Sequence, residues 1–154
     1  MKQQRILLQG GRVIDMARQI DRIADVLVEK GCVIAMGSEA RSAEHDAVHD
    51  VTGCVVLPAF IDLCASLREG EKQHGTIASE THAAAKAGFA HVVLPPNAKL
   101  VIDNPAMVAQ IKEKAQTADF VTVYPLGALT KGLEGQQPAN MHALTKAGCL
   151  AVTN

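Results

Sequence analysis

The chain has 154 residues, with 15 Lys and Arg against 16 Asp and Glu, a formal net charge of −1 and 48% hydrophobic residues. That composition supplies enough apolar side chains for a core and excludes dominant disorder. The charges are scattered without long runs, so the sequence carries no electrostatic footprint for a nucleic acid or an anionic membrane surface.

The first apolar run, Ile6 to Leu8, is too short for a signal segment or a spanning helix, and a cytoplasmic location is the expectation. The four cysteines, Cys32, Cys54, Cys64 and Cys149, have no CxxC spacing and lie in apolar stretches such as GCVIAMG and TGCVVLP. They read as buried, reduced thiols rather than disulfides or a zinc site.

Residues 1–57 read as short strands punctuated by glycine. Arg5 to Gln9, Val13 to Asp15, Asp25 to Glu29, Cys32 to Met36, Ala47 to Val51 and Cys54 to Leu57 are separated by Gly10-Gly11, Lys30-Gly31, Gly37 and Thr52-Gly53. These signals predict tight hairpins in a small β-strip with a marginal core of its own.

From Pro58 strands alternate with helices. An apolar strand is expected at Phe60 to Ser66, an Ala-rich helix at Thr76 to Ala87 closed by Gly88, and a strand at Ala90 to Leu94 ended by Pro95-Pro96. Asn104 makes a good N-cap with Pro105 at the first helical position, and Met107, Val108, Ile111 and Ala115 recur at helical spacing. A strand at Phe120 to Leu126, a helix at Pro138 to Ala147 closed by Gly148 and a strand at Cys149 to Thr153 complete the pattern.

Strand and helix in alternation predict an α/β architecture, a parallel sheet with right-handed crossovers. The phrase Lys86-Ala87-Gly88 recurs as Lys146-Ala147-Gly148 in the same place between helix and strand. A doubly wound sheet and a (β/α)8 barrel both fit. A barrel needs about 200 residues or more, so residues 58–154 would form its first half, truncated after strand four, whose apolar edge would need a cover.

In such sheets the ligand site lies at the carboxyl ends of the strands. Candidates there are Asp62, Cys64, Ser66 and Arg68, alternating on one face after strand one, then Asn97, then Thr130 and Lys131, and finally Asn154. Asp62 reads as a buried hydrogen-bond acceptor, Cys64 as a packed small hydrophobe, and Lys131 as a loop lysine at even odds with a site role. His45 and His49 have HxxxH spacing without helix signal or third ligand, and read as surface side chains.

The stretch LPAFIDLCASLREGEKQHGT resembles the dihydroorotase signature, Pro-Gly-Phe-Ile-Asp followed by His-x-His-Leu-Arg-Glu, of the cyclic amidohydrolases. GGRVIDMARQIDRIADVLVEKGCVIAMG resembles the family's opening strands, LPPNAKLVIDNP its Met-Pro-Asn-Thr segment, and VYPLGALTKGLEG its Tyr-Pro-Ile-Gly-Ala segment. The resemblance implies a (β/α)8 TIM-type barrel preceded by a partial β-sandwich, and zinc chemistry in active members.

The departures are chemical. The two His-x-His metal ligands implied by the resemblance fall at Cys64 and Ser66, and a further aspartate ligand at Asn154. A thiol, a hydroxyl and a neutral amide are a poor substitute for imidazole and carboxylate, so no metal and no catalytic residues are expected. Arg68 and Asn97 match the family's substrate-binding arginine and asparagine and are expected to be vestigial, beside a loop one residue shorter at Arg68-Glu69-Gly70.

The chain is therefore most similar to the inactive dihydroorotase homologues. What that resemblance implies is a non-catalytic, homo-oligomeric subunit that supports assembly of aspartate carbamoyltransferase in pyrimidine biosynthesis, with the transferase catalytic subunit as partner. The alternatives are an active metal-dependent hydrolase of a cyclic amide and a ligand sensor built on Arg68 and Asn97.

Overall fold

A computed structural model describes residues 4–67, 75–97 and 101–154. The chain divides into two compact units, Met1–Pro58 and Ala59–Asn154.

The first unit is a five-stranded sheet built around β1 (Arg5–Asp15). On one side β1 pairs antiparallel with β2 (Ile20–Glu29), which pairs in turn with β3 (Cys32–Met36). On its other side β1 pairs in parallel with β4 (Ala47–Asp50) and then β5 (Val55–Val56).

Both faces of this sheet bury apolar residues. Leu7 and Leu27 lie opposite each other and pack with Ala40 of α1 (Ser38–Ser42), a short helix with no expectation from the sequence. Val13, Ala24 and Val26 form a second cluster with Leu8, Ile20 and Val56 against them.

Gly10-Gly11 does not end a strand, as the sequence suggested. The ladder to β2 slips between Leu8 and Gly11, and Gly10 takes φ 78°, so the pair forms a bulge inside one continuous strand. The bulge withdraws the Gly10 N–H from the ladder, and the carboxylate of Asp25 accepts it at 2.8 Å. Asp25 is buried, and its second oxygen meets the Arg41 guanidinium at 2.9 Å.

Lys30-Gly31 is a true two-residue hairpin turn, with both residues at positive φ, 54° and 73°. Thr52-Gly53 is not. The strands it joins both run parallel to β1, so it is a kink between two segments on one edge.

The second unit has a three-stranded parallel sheet in the order β6 (Phe60–Asp62), β7 (Phe89–Leu94), β8 (Thr122–Pro125). Beyond β8 the chain continues as β9 (Gly127–Ala128), which pairs in parallel with β10 (Val152–Thr153). The Leu126 N–H donates to the carbonyl of Leu94 at 2.8 Å, whereas the Gly127 N–H donates to Ala151 at 2.9 Å. β8 and β9 are thus one line of chain whose partner changes from β7 to β10.

The helices of this unit follow their capping signals. α2 (Ile77–Lys86) opens on Thr76, whose hydroxyl accepts from the Ser79 N–H while the Ser79 hydroxyl accepts from the Thr76 N–H. α3 (Pro105–Ala118) opens on Asn104 with Pro105 at its first position, and Val108, Ile111 and Ala115 are its buried face. α4 (Met141–Ala147) opens later than expected, at the Asn140 cap, because Pro138 is engaged in a bridge with Thr130. Gly148 closes it in the left-handed conformation at φ 105°. The main core joins Ile77, Val92, Ile102, Val108, Ile111 and Leu144.

The cysteines depart from expectation. All four are free, but only Cys149 is buried, while Cys32, Cys54 and Cys64 are exposed. Apolar neighbours in a strand alternate between faces, so an apolar stretch does not by itself bury its cysteine.

Candidate functional site

Among the described residues, the candidates lie at the carboxyl ends of the parallel strands. β6 ends at Asp62, short of the expected strand to Ser66. The cause is local: the half-buried Asp62 carboxylate turns forward to accept the Cys64 N–H at 2.9 Å, bending the chain just where the strand would continue. Asp62 is an acceptor, as expected, though not a fully buried one.

Past the bend the segment rejoins β7, the Ala65 N–H donating to the Val93 carbonyl at 2.8 Å, and Leu67 enters the core. Cys64 is therefore not a packed hydrophobe; Cys64 and Ser66 are both exposed. Arg68 lies outside the described residues, as do Glu69, Gly70 and His74.

After β7, Pro96 is buried and Asn97 exposed. The chain then comes back to the sheet, with the Ile102 N–H donating to Pro96 at 3.2 Å and the Ala128 N–H donating to Ile102 at 2.7 Å. These two bonds place Asp103, which no local sequence signal marks, beside the loop that follows β9.

That loop begins at Thr130 and contains a short 3-10 turn, Lys131–Leu133, with Gly132 at φ 59° and Leu133 at φ 62°. The Gly132 N–H donates to Asp103 Oδ2 at 3.1 Å, and Asn104 Nδ2 donates to Asp103 Oδ1 at 3.0 Å. The Gly132 N–H first, then the Asn104 amide, with the Lys131 charge adding to them, holds the Asp103 carboxyl below the ordinary carboxylate range. Lys131 itself is exposed.

Asn154, at the tip of β10, is brought to the same loop. Its Oδ1 accepts from the Thr130 N–H at 3.1 Å and from the Thr130 hydroxyl at 2.9 Å, while that hydroxyl accepts from the Gly135 N–H at 3.0 Å. Thr130 and Asn154 are thus joined directly, as Asp62 and Cys64 are at the end of β6. Among the described residues, no three His, Cys, Asp or Glu side chains converge on one point.

His45 bonds through its ring nitrogen to the Ala43 carbonyl at 2.9 Å, and His49 is exposed. His82 packs on the Phe120 ring, with centroids 4.6 Å apart. A cavity of about 330 Å³ lined by His91, Lys112, Gln116, Asp119 and Phe120 lies by the amino ends of β7 and β8, at the opposite end of the sheet from the candidates. Among the described residues, no helix is long and apolar enough to cross a membrane.

Residues 53–154 match the family described as dihydro-orotase-like. A dihydroorotase-like protein of Pseudomonas aeruginosa is 38% identical over 150 residues, which are 97% of this chain and 36% of that protein. A dihydroorotase of Syntrophotalea carbinolica is 40% identical over 151 residues, 97% of this chain and 35% of its own length. The chain thus spans about a third of the length of the curated relatives it matches.

Among solved structures, the L-hydantoinase (dihydropyrimidinase) of Arthrobacter aurescens superposes with a TM-score of 0.77 at 18% identity, covering 96% of this chain and 32% of that one. A dihydroorotase crystal structure superposes with a TM-score of 0.69 at 15% identity, covering 97% and 42%. At these identities the likeness is one of fold: a mixed α/β chain with neighbours among the amidohydrolase barrels.

Proposed function

The chain belongs to the dihydro-orotase-like family, and from that premise we propose that it is a non-catalytic dihydroorotase-like subunit which supports assembly of aspartate carbamoyltransferase in pyrimidine biosynthesis. The observation that carries this reading is the donor set at the strand tips. Cys64 offers a thiol, Ser66 a hydroxyl, and Asn154 a neutral amide whose oxygen is already committed to Thr130.

A hydrolytic zinc site needs imidazole nitrogens or carboxylate oxygens with lone pairs directed at the ion. These three side chains do not fit it. An amide oxygen that already accepts two hydrogen bonds has little left to give a cation, and it brings no charge to offset the ion's own. With the ligand set gone, Arg68 and Asn97 are vestiges of substrate recognition, and the framework is the retained property. In this reading the protein is cytoplasmic, homo-oligomeric and bound to the transferase catalytic subunit.

The test uses the natural full-length protein, co-expressed with the aspartate carbamoyltransferase catalytic subunit of the same organism. Co-elution in one complex larger than either component is the expected result. Separate elution at micromolar concentration counts against the assembly role.

A second reading has one observation in its favour: relatives 39% and 40% identical over nearly all of this chain are named dihydroorotase. An active cyclic amidohydrolase would contain a stoichiometric divalent ion and open the dihydroorotate ring. Metal analysis together with a ring-opening assay on the full-length protein separates the two readings.

A further inference from the structure

We draw no further inference here: the strongest candidate, the cavity of about 330 Å³ at the amino ends of β7 and β8, is walled by the exposed residues Gln116, Asp119 and Phe120 in a chain that spans about a third of the length of its relatives, and nothing in the structure shows what covers it.

Discussion

Asp103 and Gly132, 29 residues apart, are joined by a 3.1 Å hydrogen bond that ties the start of α3 to the loop after β9. A residue next to a helix cap thereby sets the course of the loop that carries Thr130 and Lys131. Asp103→Ala should cost about 1 kcal/mol, since the released N–H groups can rehydrate, and should increase hydrogen exchange at the Gly132 amide. Amide exchange with and without the substitution measures it.

The same carboxylate gives a pH dependence with a definite sign. Its folded-state pKa lies below the ordinary value, so its contribution is fully present above the unfolded carboxylate pKa and is lost as pH falls through the depressed folded value. The Gly132 amide shift should therefore stay constant from neutral pH down through the usual carboxylate range and change only at more acidic pH. An NMR pH titration checks this, and a midpoint at or above the ordinary Asp value would refute it.

Asp25 is the buried acceptor for the Gly10 bulge, and its two oxygens do different work. Asp25→Ala strands the Gly10 N–H and should destabilise the protein by about 2 kcal/mol, whereas Asp25→Asn keeps an acceptor there and should cost less. The Arg41 side chain is 63% exposed and can return to water, so its loss of partner adds little. Urea unfolding of the two variants gives the order.

Gly127 is crowded by the core. A Cβ there would lie 2.8 Å from Leu144 Cδ1 and 3.3 Å from Val152 Cγ1. Gly127→Ala should cost about 1–3 kcal/mol through overpacking, and Leu144→Ala, at a site with no solvent exposure, about 3 kcal/mol through the cavity it leaves. Because the new methyl enters space that Leu144 vacates, the double variant should lose less than the sum. Additive losses would show that the two sites are uncoupled.

Thiol labelling should divide the cysteines three to one. Cys32, Cys54 and Cys64 are exposed, whereas burial both shields the Cys149 thiol and pushes its pKa up, against a smaller opposite pull from Lys112. Rapid alkylation at three positions and slow alkylation at Cys149 until denaturant is added is the expected outcome, read by mass spectrometry of peptides.

The parts of the fold that were legible in the sequence are those specified by local chemistry. Asn104-Pro105 marked the start of α3 because a capping side chain and a fixed φ act within a few residues, and Gly148 marked the end of α4 for the same reason. Gly10-Gly11 reads as a turn in the sequence because a bulge and a turn ask for the same conformational freedom, and only the partner strand distinguishes them. The Asp62 bend depends on one side chain competing with the ladder, which strand propensity does not register.

At the candidate site the individual positions were legible and their relations were not. Thr130 and Asn154 were each singled out as strand-end residues, but their bond spans 24 residues and exists only because β9 and β10 run side by side. Asp103 gave no signal, being one acidic residue before a cap, and its role follows from where the chain returns after Pro96.

β1 is zipped along both of its edges, and its partners arrive at different times during synthesis. Ile6 meets Val28 across a short reach of sequence but meets Ala47 only after a longer stretch has emerged. Since closing a wider loop costs more chain entropy before any ladder repays it, the meander of the first three strands should nucleate this unit, and the parallel edge should lock on afterwards. The backbone amides of β1 that face β4 and β5 would then be the last in the sheet to gain protection as the chain folds.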